Sequence, residues 1–193
     1  MSDSYLSNHL QDPKEHARFI AILKINGVSS YLEIGSMFGG SLWEVARALP
    51  PGSRVVSVDY PVDTPRAEPH LRQCVSELSK LGYDSHVVIG DSTARDTVAK
   101  AKALGPFDCV FIDGNHTLEG VTADWENYGP MARMVAFHDI AWNATWRSSK
   151  PNRAFKAMGV PALWNSLKQN YRHVELKFHP PGNYYGIGIL WRC

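Results

Sequence analysis

The chain has 193 residues, enough to bury a full core within one domain. A hydrophobic content of 44% and a charged content of 20% describe a globular protein and exclude a disordered one. The formal net charge is +1 and the 20 basic residues are dispersed, which argues against a nucleic-acid partner gripped through its phosphates.

The first residues, MSDSYLSNHLQDPKEH, lack the basic-then-apolar pattern of a secretory leader, and no apolar run approaches the length of a bilayer span. A cytoplasmic protein with no membrane partner is expected. A first helix is expected over residues 12–26: Asp12 suits the cap, Pro13 the first turn, and Glu15 stands three after the cap. Its inner face is read as Ala17, Ile20, Ala21 and Lys24, with Phe19 and Leu23 nearby, and Gly27 stops it. A short apolar run from Tyr31 to Ile34 then ends in glycines. Leu42, Val45, Ala46 and Leu49 repeat at helical spacing until Pro50-Pro51-Gly52.

The alternation continues. Val55-Val56-Ser57-Val58 reads as a strand closing on Asp59, and Leu71, Val75 and Leu78 mark a helix that stops near Gly82. A strand over 86–89 precedes Gly90-Asp91-Ser92, and Ala94, Val98 and Ala101 suit a helix. A strand over 107–112 closes on Asp113; Leu118, Val121, Trp125 and Tyr128 form a helical face; a fifth strand over 134–137 closes on His138-Asp139. A helix near 152–169 and two extended segments, 171–178 and 184–191, follow, joined by His179-Pro180-Pro181-Gly182-Asn183 as in a hairpin. Five strands alternating with helices predict a mainly parallel sheet covered on both faces, here closed by an antiparallel hairpin. Cys74, Cys109 and Cys193 are odd in number and far apart, which reads as reduced thiols, with Cys109 inside a strand. Trp164 and Trp191 are read as core.

Ligands of open sheets bind outside the carboxyl ends of the strands. Each of the five parallel strands delivers an acid there: Glu33, Asp59, Asp91, Asp113 and Asp139. Five in register point to one shared polar site. Gly35 and Gly39 permit a sharp turn and close approach of a ligand to backbone, although a plain strand-to-helix turn would use the same residues. Their spacing is not G-x-G-x-x-G, which argues against a dinucleotide pyrophosphate. Asp59 follows Gly35 by 24 residues and can accept both hydroxyls of a ribose; a loop-capping role is the alternative. Asp91 is read either as a turn residue or as a contact to an adenine amino group.

The series EIGSMFGGS, VVSVDY, VIGDS, FDCVFIDGNHTLEGVTADW and MVAFHDI resembles the class I S-adenosylmethionine-dependent methyltransferases. Within them it is most similar to metal-dependent O-methyltransferases of the catechol, macrocin and cephalosporin hydroxylase-like branches. The resemblance covers about residues 28–140 and the terminal hairpin. It implies a Rossmann-like, doubly wound, seven-stranded α/β sheet, and a single domain over 1–193 with an N-terminal helical segment (1–27) and a core (28–193). It implies S-adenosyl-L-methionine as cofactor, with Glu33, Gly35, Ser36, Gly39 and Ser41 around its methionine part, Asp59 on the ribose, Tyr60 against the adenine, and Asp91 and Ser92 at the adenine edge. Asp113 would serve both the cofactor site and the metal. Asp139 would be a second ligand, His138 stands where the family places a third, and His116 falls where it places the general base.

That chemistry suits these residue types. A neutral hydroxyl is a poor nucleophile; Mg²⁺ or Mn²⁺ on two carboxylates lowers its pKa, and a nearby histidine takes the proton. His138 and Asp139 are neighbours, so both reach one metal only if the strand has opened into a loop; otherwise His138 only orients Asp139 or lines the pocket. A nitrogen ligand shifts preference toward Mn²⁺, Fe²⁺ or Zn²⁺. Asp124 is placed behind the ligands or on a helix surface. The loop with Trp142, Trp146 and Arg147 is expected to overhang the site, its aromatics either walling the acceptor pocket or packing a partner subunit, and Tyr5 and His9 are expected to form a lid. The expected partner is a small hydroxylated acceptor, with a homodimer as one way to complete its pocket. The competing readings are a nicotinamide-dependent oxidoreductase, a non-catalytic adenosyl-cofactor-binding module and a metal hydrolase. A nucleic-acid base methyltransferase is disfavoured, because no N/D-P-P-Y/F follows strand four.

Overall fold

The structure is a computed structural model that describes residues 11–62, 64, 66–141, 159–178 and 185–192. Seven strands form one sheet in the order β3-β2-β1-β4-β5-β7-β6. The parallel strands are β1 (Ser30–Ile34), β2 (Arg54–Asp59), β3 (Asp84–Ile89), β4 (Phe107–Ile112) and β5 (Ala132–Phe137). β7 (Ile187–Trp191) lies between β5 and β6 (Arg172–Leu176) and pairs antiparallel with both, so β7 alone runs against the other six strands. The chain turns back on itself at β1, which pairs with β2 on one side and β4 on the other. That switch point opens a crevice above the strand ends.

The period-two alternation of the strands divides the core in two. On one face Tyr31, Val55, Cys109, Phe111, Met134, Ala136 and Ile189 pack against α1 (Pro13–Ile25), α2 (Gly40–Ala48) and α3 (Ala67–Lys80) through Phe19, Leu23, Leu42, Val45, Leu71 and Leu78. On the other, Leu32, Ile34, Val56, Val58, Val110, Ile112, Val135 and Phe137 pack against α4 (Arg95–Ala103), α5 (Leu118–Tyr128) and α6 (Val160–Leu167) through Ala101, Val121, Tyr128, Val160 and Trp164. Burial of this apolar surface on both faces is what holds the sheet flat-sided and closed to water. Among the described residues no helix is long and apolar enough to cross a membrane.

Several expectations shift. Asp12 caps α1 as expected, accepting from the N–H groups of Lys14 and Glu15 at 3.0 Å. The buried face of α1 is Glu15, His16, Phe19 and Leu23, whereas Ala17 and Lys24 are exposed. The misreading arose because two polar residues, Glu15 and His16, lie on the inner face. Glu15 does not close a capping box: its carboxylate accepts from Phe178 N and Gly186 N of the terminal hairpin. Leu118 is half exposed at the start of α5, and β3 begins two residues earlier than expected. Cys109 and Trp164 are buried, and Trp191 is partly so. Residues 152–158, the 179–184 connection, Trp142, Trp146, Arg147, Tyr5, His9 and Cys193 lie outside the described residues.

Candidate active site

The first half of the site is built by the turn after β1. Gly35, Met37 and Gly39 have φ of 89°, 50° and 86°, so three of five consecutive residues are left-handed. Glycine is required at Gly35: a Cβ there would stand 2.3 Å from the carbonyl oxygen of Asp113. The turn thus packs backbone to backbone against the end of β4. Gly39 leads into α2 with no side-chain cap, and its own Cβ would press on Cys74 at 3.0 Å.

Beneath this turn Glu33 is completely buried. It accepts from Ser41 Oγ and Tyr31 OH, each at 2.7 Å. Burial pushes its carboxyl up to about 7, and these hydroxyls, with Ser36, offset only part of that. Ser36 Oγ in turn accepts from Ser57 Oγ at 2.7 Å. At the end of β2, Asp59 is buried and its Oδ2 accepts from Met37 N at 2.6 Å, which ties strand two to the glycine turn. Burial also raises the Asp59 carboxyl, against the opposing backbone N–H bonds. Tyr60 beside it is 59% exposed, an open aromatic face. Asp91 is exposed, and its Oδ1 accepts from the N–H and hydroxyl of Thr93 at 2.8 Å, an Asx turn. The carbonyl of Ser92 accepts from Tyr128 OH.

The second half gathers at the ends of β4 and β5. Asp113 Oδ1 lies 3.1 Å from His116 Nε2 and 3.3 Å from His138 Nδ1. Asp139 Oδ2 lies 3.4 Å from His116 Nδ1, and its Oδ1 lies 3.2 Å from His138 Nδ1. Two carboxylates and two imidazoles therefore alternate around one centre. Alternation would send Asp139 to the opposite face from His138. β5 ends at Phe137, however, and Asp139 takes φ of 60°, which brings its carboxylate back. The strand has opened into a loop where the chemistry requires it.

The electrostatics follow from the pairing. Burial alone would raise Asp113, but His138 and His116 hold it well below the usual carboxylate range. Burial opposes charge on His138, and Asp113 and Asp139 overcome it, pushing its pKa up to about 10. His116 is raised in the same sense against its own burial, chiefly by Asp113. The two histidines differ in access: the His116 side chain is 31% exposed and that of His138 6%. His138 Nε2 is buried with no hydrogen-bond partner, while its ring lies 5.8 Å from that of Tyr185. The loop carrying His116 is anchored by Gly159, whose N–H donates to the His116 carbonyl at 2.7 Å.

Three residues escaped the sequence reading. Gln11 Nε2 donates to Asp113 Oδ2 at 2.8 Å across 102 residues of chain, and no motif marks it. Glu15 clamps the hairpin that runs beside Asp139. Of the two places expected for Asp124 the helix surface is excluded: it is fully buried on α5, and burial pushes its carboxyl up to about 6 against an opposing hydrogen bond with Ser92. Its i−3 neighbour Val121 and i+4 neighbour Tyr128, both buried, were the available signal.

A doubly wound sheet with a glycine turn after β1 and acids at its strand ends defines a Rossmann-like domain with a polar site at the carboxyl edge of the sheet. Residues 32–140 match the family described as a methyltransferase domain, and the chain belongs to that family. It is also 29% identical over 101 residues to a catechol O-methyltransferase of Niastella koreensis, in a match covering 51% of this chain and 43% of that protein. This chain thus spans less than half the length of that relative. Among solved structures, the O-methyltransferase of Bacillus cereus in complex with SAH superposes with a TM-score of 0.70 at 20% identity, covering 98% of this chain and 86% of that one. TomG of Streptomyces achromogenes, an O-methyltransferase involved in tomaymycin synthesis and solved with SAM, gives 0.68 at 18% identity over 95% of this chain and 81% of its own. The fold is theirs.

Proposed function

We propose that the protein is an S-adenosylmethionine-dependent O-methyltransferase acting on a small hydroxylated acceptor with the help of a divalent metal. The observation that carries this reading is the alternating ring of Asp113, His116, Asp139 and His138 beside the glycine turn. A nicotinamide enzyme would have no use for that ring, and a pure cofactor binder would not assemble it.

The chain's residues divide the work. Gly35, Ser36, Gly39 and Ser41 shape the turn that receives the methionine part, with Glu33 beneath it. Asp59 accepts from the ribose, Tyr60 offers its open ring to the adenine, and Asp91 and Ser92 border the adenine edge. The donor set fits a hard or borderline cation: Asp113 Oδ1 and Asp139 Oδ1 lie 3.3 Å and 3.2 Å from His138 Nδ1. Asp113 and Asp139 would hold Mg²⁺ or Mn²⁺, with His138 Nδ1 as the nitrogen ligand. A bound divalent cation lowers the pKa of an acceptor hydroxyl and orients it. His116 is the general base, because it is the histidine with solvent access and so can meet the acceptor's proton. Asp113 and Asp139 flank its ring and stabilise the imidazolium that forms.

The ligand atoms of Asp113, His116 and Asp139 lie within 4.8 Å of one another, which supports a second reading, in which His116 is itself a ligand and His138 a buried brace. His116→Ala separates them: as a base it loses turnover and keeps Mn²⁺ affinity, as a ligand it loses both. The whole proposal is tested by incubating the protein with S-adenosylmethionine and catechol and following S-adenosylhomocysteine. EDTA should stop the reaction and Mg²⁺ or Mn²⁺ restore it. Undiminished turnover in EDTA would remove the metal from the account. No affinity for either adenosyl compound would remove the account itself.

A further inference from the structure

The N-terminal helix does more than cover the sheet. Its start is pinned: Asp12 accepts from two backbone N–H groups and Pro13 fixes the first turn. Its body is buried through Phe19 and Leu23, both fully enclosed, with Phe19 stacked on Phe111 at 5.0 Å between ring centroids. Phe111 stands two residues before Asp113 and points to the same face. Further along, Glu15 accepts from Gly186 N at 2.8 Å, and the Gly186 carbonyl accepts from Ile140 N, directly after Asp139. α1 therefore touches the chain on both sides of the carboxylate–histidine ring.

Gln11 completes that contact. The Gln11 amide nitrogen Nε2 donates to Asp113 Oδ2 at 2.8 Å. The two oxygens of Asp113 are thereby assigned to different neighbours. Oδ2 belongs to Gln11, and Oδ1 faces His116 and His138. We propose that Gln11 is a positioning residue of the metal centre: it holds the Asp113 carboxylate so that one oxygen alone faces the ring. This rests on the metal reading above and deepens it. Gln11 acts through Asp113. Partners that orient a metal-binding carboxylate from behind tune affinity by roughly 10- to 100-fold. The contact also makes docking of α1 a condition for a well-ordered centre.

The test is a double-mutant cycle on the full chain, read by Mn²⁺ titration with electron paramagnetic resonance. Gln11→Met keeps the length of the side chain and removes the donor; Asp113→Asn weakens the ligand itself. Gln11→Met is expected to weaken Mn²⁺ binding about tenfold, to leave S-adenosylhomocysteine affinity by calorimetry within about twofold of wild type, and to lower kcat without raising KM for the cofactor. In the Asp113→Asn background it should produce no further loss. Gln11→Ser is read in the same way if the Met variant does not fold. Wild-type Mn²⁺ affinity in both Gln11 variants overturns the proposal, as does an equal loss with and without Asp113. Absence of Mn²⁺ binding in the wild type instead overturns the metal reading on which it stands.

Discussion

At the ends of β1 and β2, Glu33 and Asp59 are held by hydroxyls and backbone N–H groups, whereas at the ends of β4 and β5, Asp113 and Asp139 face two imidazoles. The four carboxylates stand toward one edge of one sheet, Glu33 two residues deeper in register than Asp59 and Asp113, and the fold treats the pairs oppositely. Burial dominates in the first half and raises Glu33 and Asp59. Charge pairing dominates in the second half and lowers Asp113, although it too is buried. The difference teaches that a strand-end acid has no intrinsic role. Neutral donors leave a carboxylate ready to receive a cationic or hydroxylated ligand, while imidazoles keep one ionised and fit for a metal or a proton relay.

Breaking the second half should cost most. Asp139→Ala is expected to lower turnover by at least about a thousandfold, on the order of 4 kcal/mol, while S-adenosylhomocysteine affinity stays within about twofold by calorimetry. Equal turnover in the variant would mean that the ring is structural. Gly35→Ala strikes where the halves meet, since its Cβ has no room beside the Asp113 carbonyl and its φ is 89°. It should destabilise the protein by about 3 kcal/mol or more in urea unfolding. Asp59→Ala should weaken cofactor binding by about tenfold to a hundredfold, roughly 1.4–2.8 kcal/mol, and leave Mn²⁺ affinity unchanged. A variant that lost both would show the halves to be one coupled unit.

The smallest effect is a pH dependence that sharpens the contrast. The folded carboxyl of Glu33 lies near 7 against an ordinary value of 4.5. A raised carboxyl contributes stability that is fully present below the unfolded value, and this is lost as pH rises through the folded one. The cofactor-free protein should therefore lose melting temperature between about pH 5 and about pH 8 more steeply than its Glu33→Gln variant, by a few degrees. Parallel curves would show that Glu33 is already ionised in the folded state.

Much of the scaffold was legible from local pattern. The short apolar run Val55–Val58, helical spacing in Leu71, Val75 and Leu78, and the cap at Asp12 are short-range signals, because each is complete within a few residues. The same is true of the strand-end acids and of the φ-positive glycines that turn the chain under them. Misreadings fell where a polar residue lies inside. Glu15 and His16 hid the inner face of α1, and for Asp124 a helix surface stayed open as an alternative although it is wholly enclosed.

What the sequence by itself determined is the order of strands and helices and the set of acids delivered to one edge of the sheet, since both follow from periodicity and from turn chemistry. Only the tertiary structure decided which neighbours each acid meets. The left-handed turn at Asp139, the imidazoles shared between Asp113 and Asp139, and the reach of Gln11 to Asp113 depend on packing across long stretches of chain. Charge is assigned by distance in space, and that distance exists only once the two faces of the sheet have been buried.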